Sequence, residues 1–415
     1  MRKLGLHIFV ATMSLVLTAG AAGAGQALFS PLDIAPSYAK LLNQDKSYQV
    51  LADSPATASL EIVKANANLV DEKASTLTFN LGSGRDLQAH RIQAYATGSG
   101  SLVWSGVISD AGDAAVRVPF APDAFAFDPL NVVTLVRDGD MITGNLHYNG
   151  DWYKIRPLRS GGHAIVAVDS RAMPPDHPEA YANLPVIHMP IRQTKANTVI
   201  RVMVNYTAAA AAAAGNISSL IDLAVAETNQ GYANSGVTIT IQLANKSQVT
   251  YTESGSFSTD LSRYRGTADG FMDNIHTTRN STTADVGALL INNASACGLA
   301  SGIGSSASTA FVAVYWDCAT GYYSFGHEIG HLQSARHDPA TDGTTSPYAW
   351  GHGYQYTGSP KWRTIMAYDC AGGCPRLNYW SNPNNLYNGH PMGTTATSNN
   401  TRVLNDTRAT VAAFR

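Results

Sequence analysis

Residues 327–338 read His-Glu-Ile-Gly-His-Leu-Gln-Ser-Ala-Arg-His-Asp. On a helix, His327 and His331 stand one turn apart on the same face, so both imidazoles can reach one ion. Glu328 lies beside His327, placed to lean towards a water on that ion without binding the ion itself. His337 follows past the point where the helix should break. Three neutral imidazoles and a water make an open zinc site of the catalytic kind, rather than a closed structural one. The chemistry implied is metal-assisted hydrolysis: Zn2+ lowers the pKa of a water to about 7 and polarises a carbonyl, while Glu328 shuttles protons. A bare His-Glu-x-x-His also occurs on surface helices whose histidines are merely solvated, so the surrounding sequence has to discriminate.

No glutamate follows Glu328 in the chain, which excludes a third ligand of that type from a later helix. A histidine or aspartate must serve. His337 has the spacing of the extended pattern His-Glu-x-x-His-x-x-Gly-x-x-His; His352 and His390 are competitors, read as surface or supporting residues. Ser334 stands where that pattern has glycine. A left-handed turn at a non-glycine residue costs about 1–2 kcal/mol, which ligation by His337 would offset. Downstream, Thr364-Ile365-Met366-Ala367-Tyr368 resembles the Met-turn of the metzincin peptidases, with Met366 beneath the zinc site. In metzincins that carry this tyrosine its phenol binds the zinc or stabilises the oxyanion, and the resemblance makes Tyr368 a catalytic candidate. Ala310–Trp316 is β-branched and aromatic and reads as the strand leading to the zinc helix.

The elements that must position these residues occupy a chain of 415 residues, long enough for two or three domains. Charged residues make up 14% and the net charge is −2, which argues against a broad basic surface and so against nucleic acid as a partner. Arg2 and Lys3 precede an apolar run and then Ala21-Ala22-Gly23-Ala24-Gly25. That is the layout of a cleaved signal peptide, assigned to residues 1–24. It implies a secreted, extracellular protein with no membrane association after its removal. Four cysteines in an exported chain favour disulfides. Of three possible pairings, Cys297–Cys318 and Cys370–Cys374 are favoured: one clamps the strand before the zinc helix, the other closes a tight loop after the Met-turn. A cysteine zinc site competes, with poor spacing.

Residues 25–190 carry short alternating runs and an Asn149-Gly150 hairpin signal, and read as mostly β. Pro174, Pro175, Pro178, Pro185 and Pro190 mark an extended linker. Residues 191–415 then show a strand at 199–204, a helix capped by Thr207 and starting in the alanines 208–214, and a strand at 237–241. A polar helix near 267–279, a strand at 286–291 and a terminal helix from about 401 follow.

The combination Phe325-Gly326-His327-Glu328-Ile329-Gly330-His331, Trp362–Cys370 and Cys374–Pro383 resembles the reprolysin-like metzincins, and among them the peptidyl-Asp metalloendopeptidases, or endoproteinase Asp-N family. The fold this implies is an α/β metzincin catalytic domain: a twisted mixed sheet with the zinc helix and a small C-terminal subdomain. The segment from Tyr153-Lys154-Ile155-Arg156-Pro157 to the linker resembles propeptides of such enzymes, so residues 25–190 are read as a prosegment that inhibits and is removed. The activity implied is hydrolysis of polypeptides on the amino side of Asp, with broader specificity as the alternative. That demands a cation in the pocket for the residue after the scissile bond, best an arginine. Arg376 is the candidate by position, with Lys361, Arg363 and Arg336 as alternatives. Asp176 or His177 of the prosegment could reach the zinc, although a solvated linker is the simpler reading.

Overall fold

The computed structural model describes residues 26–81, 86–110, 117–118, 121–125, 128–192, 194 and 196–415; the expected signal segment lies outside them. The first module is a nine-stranded antiparallel sheet. Its strands are β1 (Phe29–Pro31), β2 (Thr57–Ala65), β3 (Thr76–Asn80), β4 (Asp86–Ala96), β5 (Leu102–Asp110), β6 (Val132–Asp138), β7 (Met141–Tyr148), β8 (Asp151–Pro157) and β9 (His163–Val168), in the order β1-β2-β9-β8-β7-β6-β5-β4-β3. Asn149 (φ 52°) and Gly150 (φ 92°) turn β7 into β8; two left-handed residues give the twist a tight hairpin needs. Two short helices, α1 (Pro36–Leu42) and α2 (Lys46–Ala52), were not legible in the sequence pattern; Asp45 caps the second by accepting the Ser47 N–H.

The second module is built on a mixed five-stranded sheet of β10 (Thr198–Tyr206), β11 (Ile239–Gln248), β12 (Val286–Ile291), β13 (Gly298–Ala300) and β14 (Phe311–Tyr315), in the order β11-β10-β12-β14-β13. All pairings are parallel except that of the edge strand β13 with β14. β12 and β14 are buried throughout, as continuous apolar runs in parallel strands are. The alanine helix is split. Thr207 caps α3 (Ala208–Ala213), and α4 (Ile217–Ser235) starts afresh behind Asn216. Gly215 between them has φ 71°, and a Cβ there would lie 2.0 Å from the Pro157 carbonyl, so the end of the first module's β8 packs against the break. The polar helix expected near 267–279 is instead α5 (Phe257–Arg265) and α6 (Ile275–Ser281). Between them the Asp269 and Asp273 carboxylates accept the Phe271 and Gly270 amides, and such local bonds compete with helix. The zinc-motif helix α7 (Ser324–Leu332) and α8 (Asn400–Val411) complete the module.

The two modules share one core, which draws Leu51, Trp152 and Val166 from the first and Ile221, Leu290 and Phe325 from the second. Polar ties cross the same face: Lys154 to Asp317 at 2.8 Å, Asn145 to Glu227 at 2.6 Å and Ser101 to Asp222 at 2.7 Å, all buried. The proline-rich segment is extended but not solvated. Pro175 and Asp176 offer their carbonyls to the Cys297 (2.8 Å) and Gly298 (3.1 Å) amides at the edge strand, and Ile187 and Pro185 pair with Ile303. Asp176 and His177 are buried. Among the described residues no helix is long and apolar enough to cross a membrane.

Candidate metal centre

Helix α7 is buried along its whole length, and two glycines make that possible. A Cβ at Gly326 would touch Thr228 of α4 at 3.1 Å. One at Gly330 would lie 2.6 Å from the Trp380 ring and 3.3 Å from Met366 Sδ. Met366 thus lies directly against the histidine helix, itself wholly buried. After Leu332 the chain turns at Ser334, whose φ of 71° is the left-handed conformation the motif requires. The turn brings the His337 ring back to within 4.8 Å of the His331 ring.

The imidazole Nε2 atoms converge: His327 to His331 at 3.1 Å, and His327 to His337 at 3.3 Å. A fourth joins them, His177, with its Nε2 3.2 Å from that of His331. The four ligand atoms lie within 4.8 Å of one another. His327 Nδ1 donates to the Ile365 carbonyl at 3.0 Å and His331 Nδ1 to the Ala335 carbonyl at 2.8 Å. A carbonyl cannot donate, so both Nε2 atoms carry lone pairs, and two lone pairs at 3.1 Å do not hydrogen-bond each other. They need a cation between them. Ligand bonds of about 2.0–2.1 Å at tetrahedral angles set nitrogens roughly 3.3 Å apart, so the donor set fits a zinc ion. Burial keeps these rings neutral, the form a metal binds: it pushes His177 down to about 3 and His331 to about 4, and holds His327 and His337 well below the usual histidine range.

Glu328 points into the same space. Its carboxyl lies 3.1 Å from His177 Nε2 and, among the described residues, finds no hydrogen bond of good geometry. Gly298 of the edge strand makes room for it, since a Cβ there would be 2.3 Å from Oε1. Burial raises Glu328 to about 8; a divalent cation alongside would draw it down again. The Tyr368 hydroxyl is 3.0 Å from His177 Nδ1, and its ring packs 4.4 Å from that of His337. The Tyr368 amide is fixed by the Asp338 carboxylate at 3.0 Å.

Beside the histidines lies a pocket of opposite character. Arg376 is buried, its guanidinium 4.2 Å from the centre of the Tyr322 ring, with Nη1 donating to the Tyr322 carbonyl. Its Nη2 reaches both oxygens of Asp176, at 2.7 and 2.8 Å, and Arg363 Nη1 stands 3.7 Å from the same carboxylate. Burial alone would raise Asp176, but the two guanidiniums outweigh it and hold the carboxylate below its ordinary range. Of the other cations weighed from sequence, Arg336 pairs with Asp342 and Lys361 binds the Ala371 carbonyl at the surface. His352 supports the backbone, bonding the His337 and Thr344 carbonyls, while His390 is exposed beside Tyr356. Disulfides join Cys297 to Cys318, tying the edge strand to the turn before α7, and Cys370 to Cys374. The residues that sequence reasoning set aside in favour of a linker are Asp176 and His177. A charged pair between prolines was their only signal.

Residues 196–381 match the model of metallopeptidase family M12. The chain is 51% identical over 411 residues to the peptidyl-Asp metalloendopeptidase of Stenotrophomonas maltophilia strain K279a, covering 96% of each. It is 48% identical over 425 residues to that of Xanthomonas campestris pv. campestris, covering the whole of both. A peptidyl-Asp metalloendopeptidase of Pseudomonas fragi is 52% identical over 189 residues, which is 46% of this chain and all of its own.

Proposed function

From a chain that belongs to metallopeptidase family M12, and is a zinc metalloendopeptidase, we propose that it cuts polypeptides on the amino side of aspartate. His327, His331 and His337 hold the zinc, Glu328 is the general base, and Arg376 is the cation that reads the aspartate. The observation that carries this reading is a buried guanidinium already bearing a carboxylate, Asp176, one residue away from the imidazole cluster.

A zinc ion at that cluster supplies Lewis-acid polarisation of the peptide carbonyl. The chain supplies the rest. Glu328, adjacent to the cluster and with no hydrogen bond of good geometry among the described residues, takes a proton from the attacking water and returns it to the leaving amine. Tyr368, held by the Asp338–amide bond, offers its hydroxyl to charge developing on the carbonyl oxygen. Arg376, with Arg363 behind it, binds the carboxylate of the residue after the scissile bond and so fixes which bond is presented.

Residues 1–24 are a signal peptide, 25–190 an inhibitory prosegment that is removed, and 191–415 the secreted catalytic domain, with a small C-terminal subdomain after the zinc motif. The test is a digest of denatured casein by the processed enzyme, with cut sites mapped by mass spectrometry. Cuts before Asp, abolished by chelation and by Glu328→Gln, support the reading. Zinc-dependent cuts without Asp preference would favour the broad-specificity alternative.

A further inference from the structure

We propose that the dipeptide Asp176-His177 is a latch made from the enzyme's own recognition chemistry. Asp176 fills the pocket that reads a substrate's aspartate, and His177 takes the fourth corner of the metal. This rests on the roles given above to the three histidines and Arg376.

Both halves of the latch are built and buried. Asp176 bonds Arg376 through both oxygens, with Arg363 in range. His177 lies among the other three imidazoles, its ring 4.6–5.0 Å from each of theirs. When its Nδ1–H is donated to the Tyr368 hydroxyl at 3.0 Å, the Nε2 lone pair is left for the ion. That bond also engages the phenol assigned to the carbonyl oxygen. Tyr181, from the turn that follows, packs its ring 4.3 Å from that of His337 and 4.5 Å from that of His177.

The latch escapes its own enzyme for a geometric reason. The bond on the amino side of Asp176 is Pro175–Asp176. Its carbonyl oxygen accepts the Cys297 amide at 2.8 Å, and the Asp176 carbonyl accepts that of Gly298. The group that would have to be attacked is therefore engaged by the edge strand, and an imidazole stands at the metal in its place. A side chain of the right charge is bound, and no scissile carbonyl is presented.

The test uses the full-length Glu328→Gln chain, which cannot process itself, loaded with cobalt(II) in place of zinc. Its visible absorption should be that of four nitrogens in a tetrahedron, indifferent to added imidazole. His177→Ala should shift and weaken the band, and free imidazole should restore it. Asp176→Asn should leave the band unchanged but release cobalt to EDTA about tenfold faster or more, as loss of a residue that positions a ligand does. An unchanged band in His177→Ala would overturn the latch while leaving the three-histidine site standing. Unaltered release from Asp176→Asn would overturn the pocket half. Failure of every chain to bind cobalt would overturn the metal reading itself, and the latch with it.

Discussion

Replacing Arg376 by glutamine should sharply reduce the enzyme's ability to tell aspartate from asparagine. The magnitude follows from the contact already present. Arg376 Nη2 lies 2.7 and 2.8 Å from the Asp176 oxygens, in a site where both side chains are almost fully buried. Unit charges about 4 Å apart attract by roughly 4 kcal/mol at an effective dielectric near 20. Arg363, at 3.7 Å, would retain part of that field. A loss of about 2–4 kcal/mol is therefore expected, or roughly 30- to 1000-fold in kcat/KM for an aspartate substrate. The matching asparagine peptide brings no charge and should change little. The assay is kcat/KM of the processed enzyme on two quenched fluorescent peptides differing only in Asp or Asn after the scissile bond. Arg363→Gln should lower the same ratio by a smaller factor. An Asp/Asn ratio unmoved in Arg376→Gln would refute the assignment of the pocket, whatever happened to overall activity.

Three further outcomes are expected. Gly298→Ala should cost about 100-fold or more in turnover with zinc content unchanged, because its Cβ would displace Glu328 from a position only 2.3 Å away; kinetics paired with metal analysis check this. Lys154→Met should destabilise the unprocessed chain by about 3–5 kcal/mol in denaturant melts, since it strands the buried Asp317, and adding Asp317→Leu should recover most of the loss. Burial raises Glu227 from 4.5 to about 7, so the folded chain holds a proton there that the unfolded chain gives up. Its contribution is complete below pH 4.5 and is lost as pH rises through 7, by about 3 kcal/mol in all. It is read as the difference between wild type and Glu227→Gln, which cancels the opposite trend of the buried histidines.

Much of this arrangement is local and so was readable in advance. Helical spacing alone puts His327 and His331 on one face, and the left-handed turn at Ser334 follows from the motif's need to reverse. Apolar runs at 286–291 and 311–315 have the length of buried strands, whereas a buried helix usually runs to about ten residues or more. What stayed hidden is non-local. The split between α3 and α4 is imposed by the Pro157 carbonyl of another module. The Asx bonds that interrupt the expected helix near 270 are short-range, yet they compete with a helical pattern too weak to decide. Most of all, the proline-rich stretch around Asp176 reads as extended and is extended. Its fixed place comes from Arg376, two hundred residues on in sequence, and no periodicity encodes such a partner. The segment least like an ordered element by composition thus lies at the centre of the site.

The most direct test of the whole account is the zinc K-edge absorption of the full-length chain. One zinc per chain, with a first shell of nitrogens at about 2.0–2.1 Å and the outer-shell scattering of imidazole rings, is the result predicted. Absence of zinc, or a shell containing sulfur, would contradict the convergence of His327, His331 and His337 on a single ion.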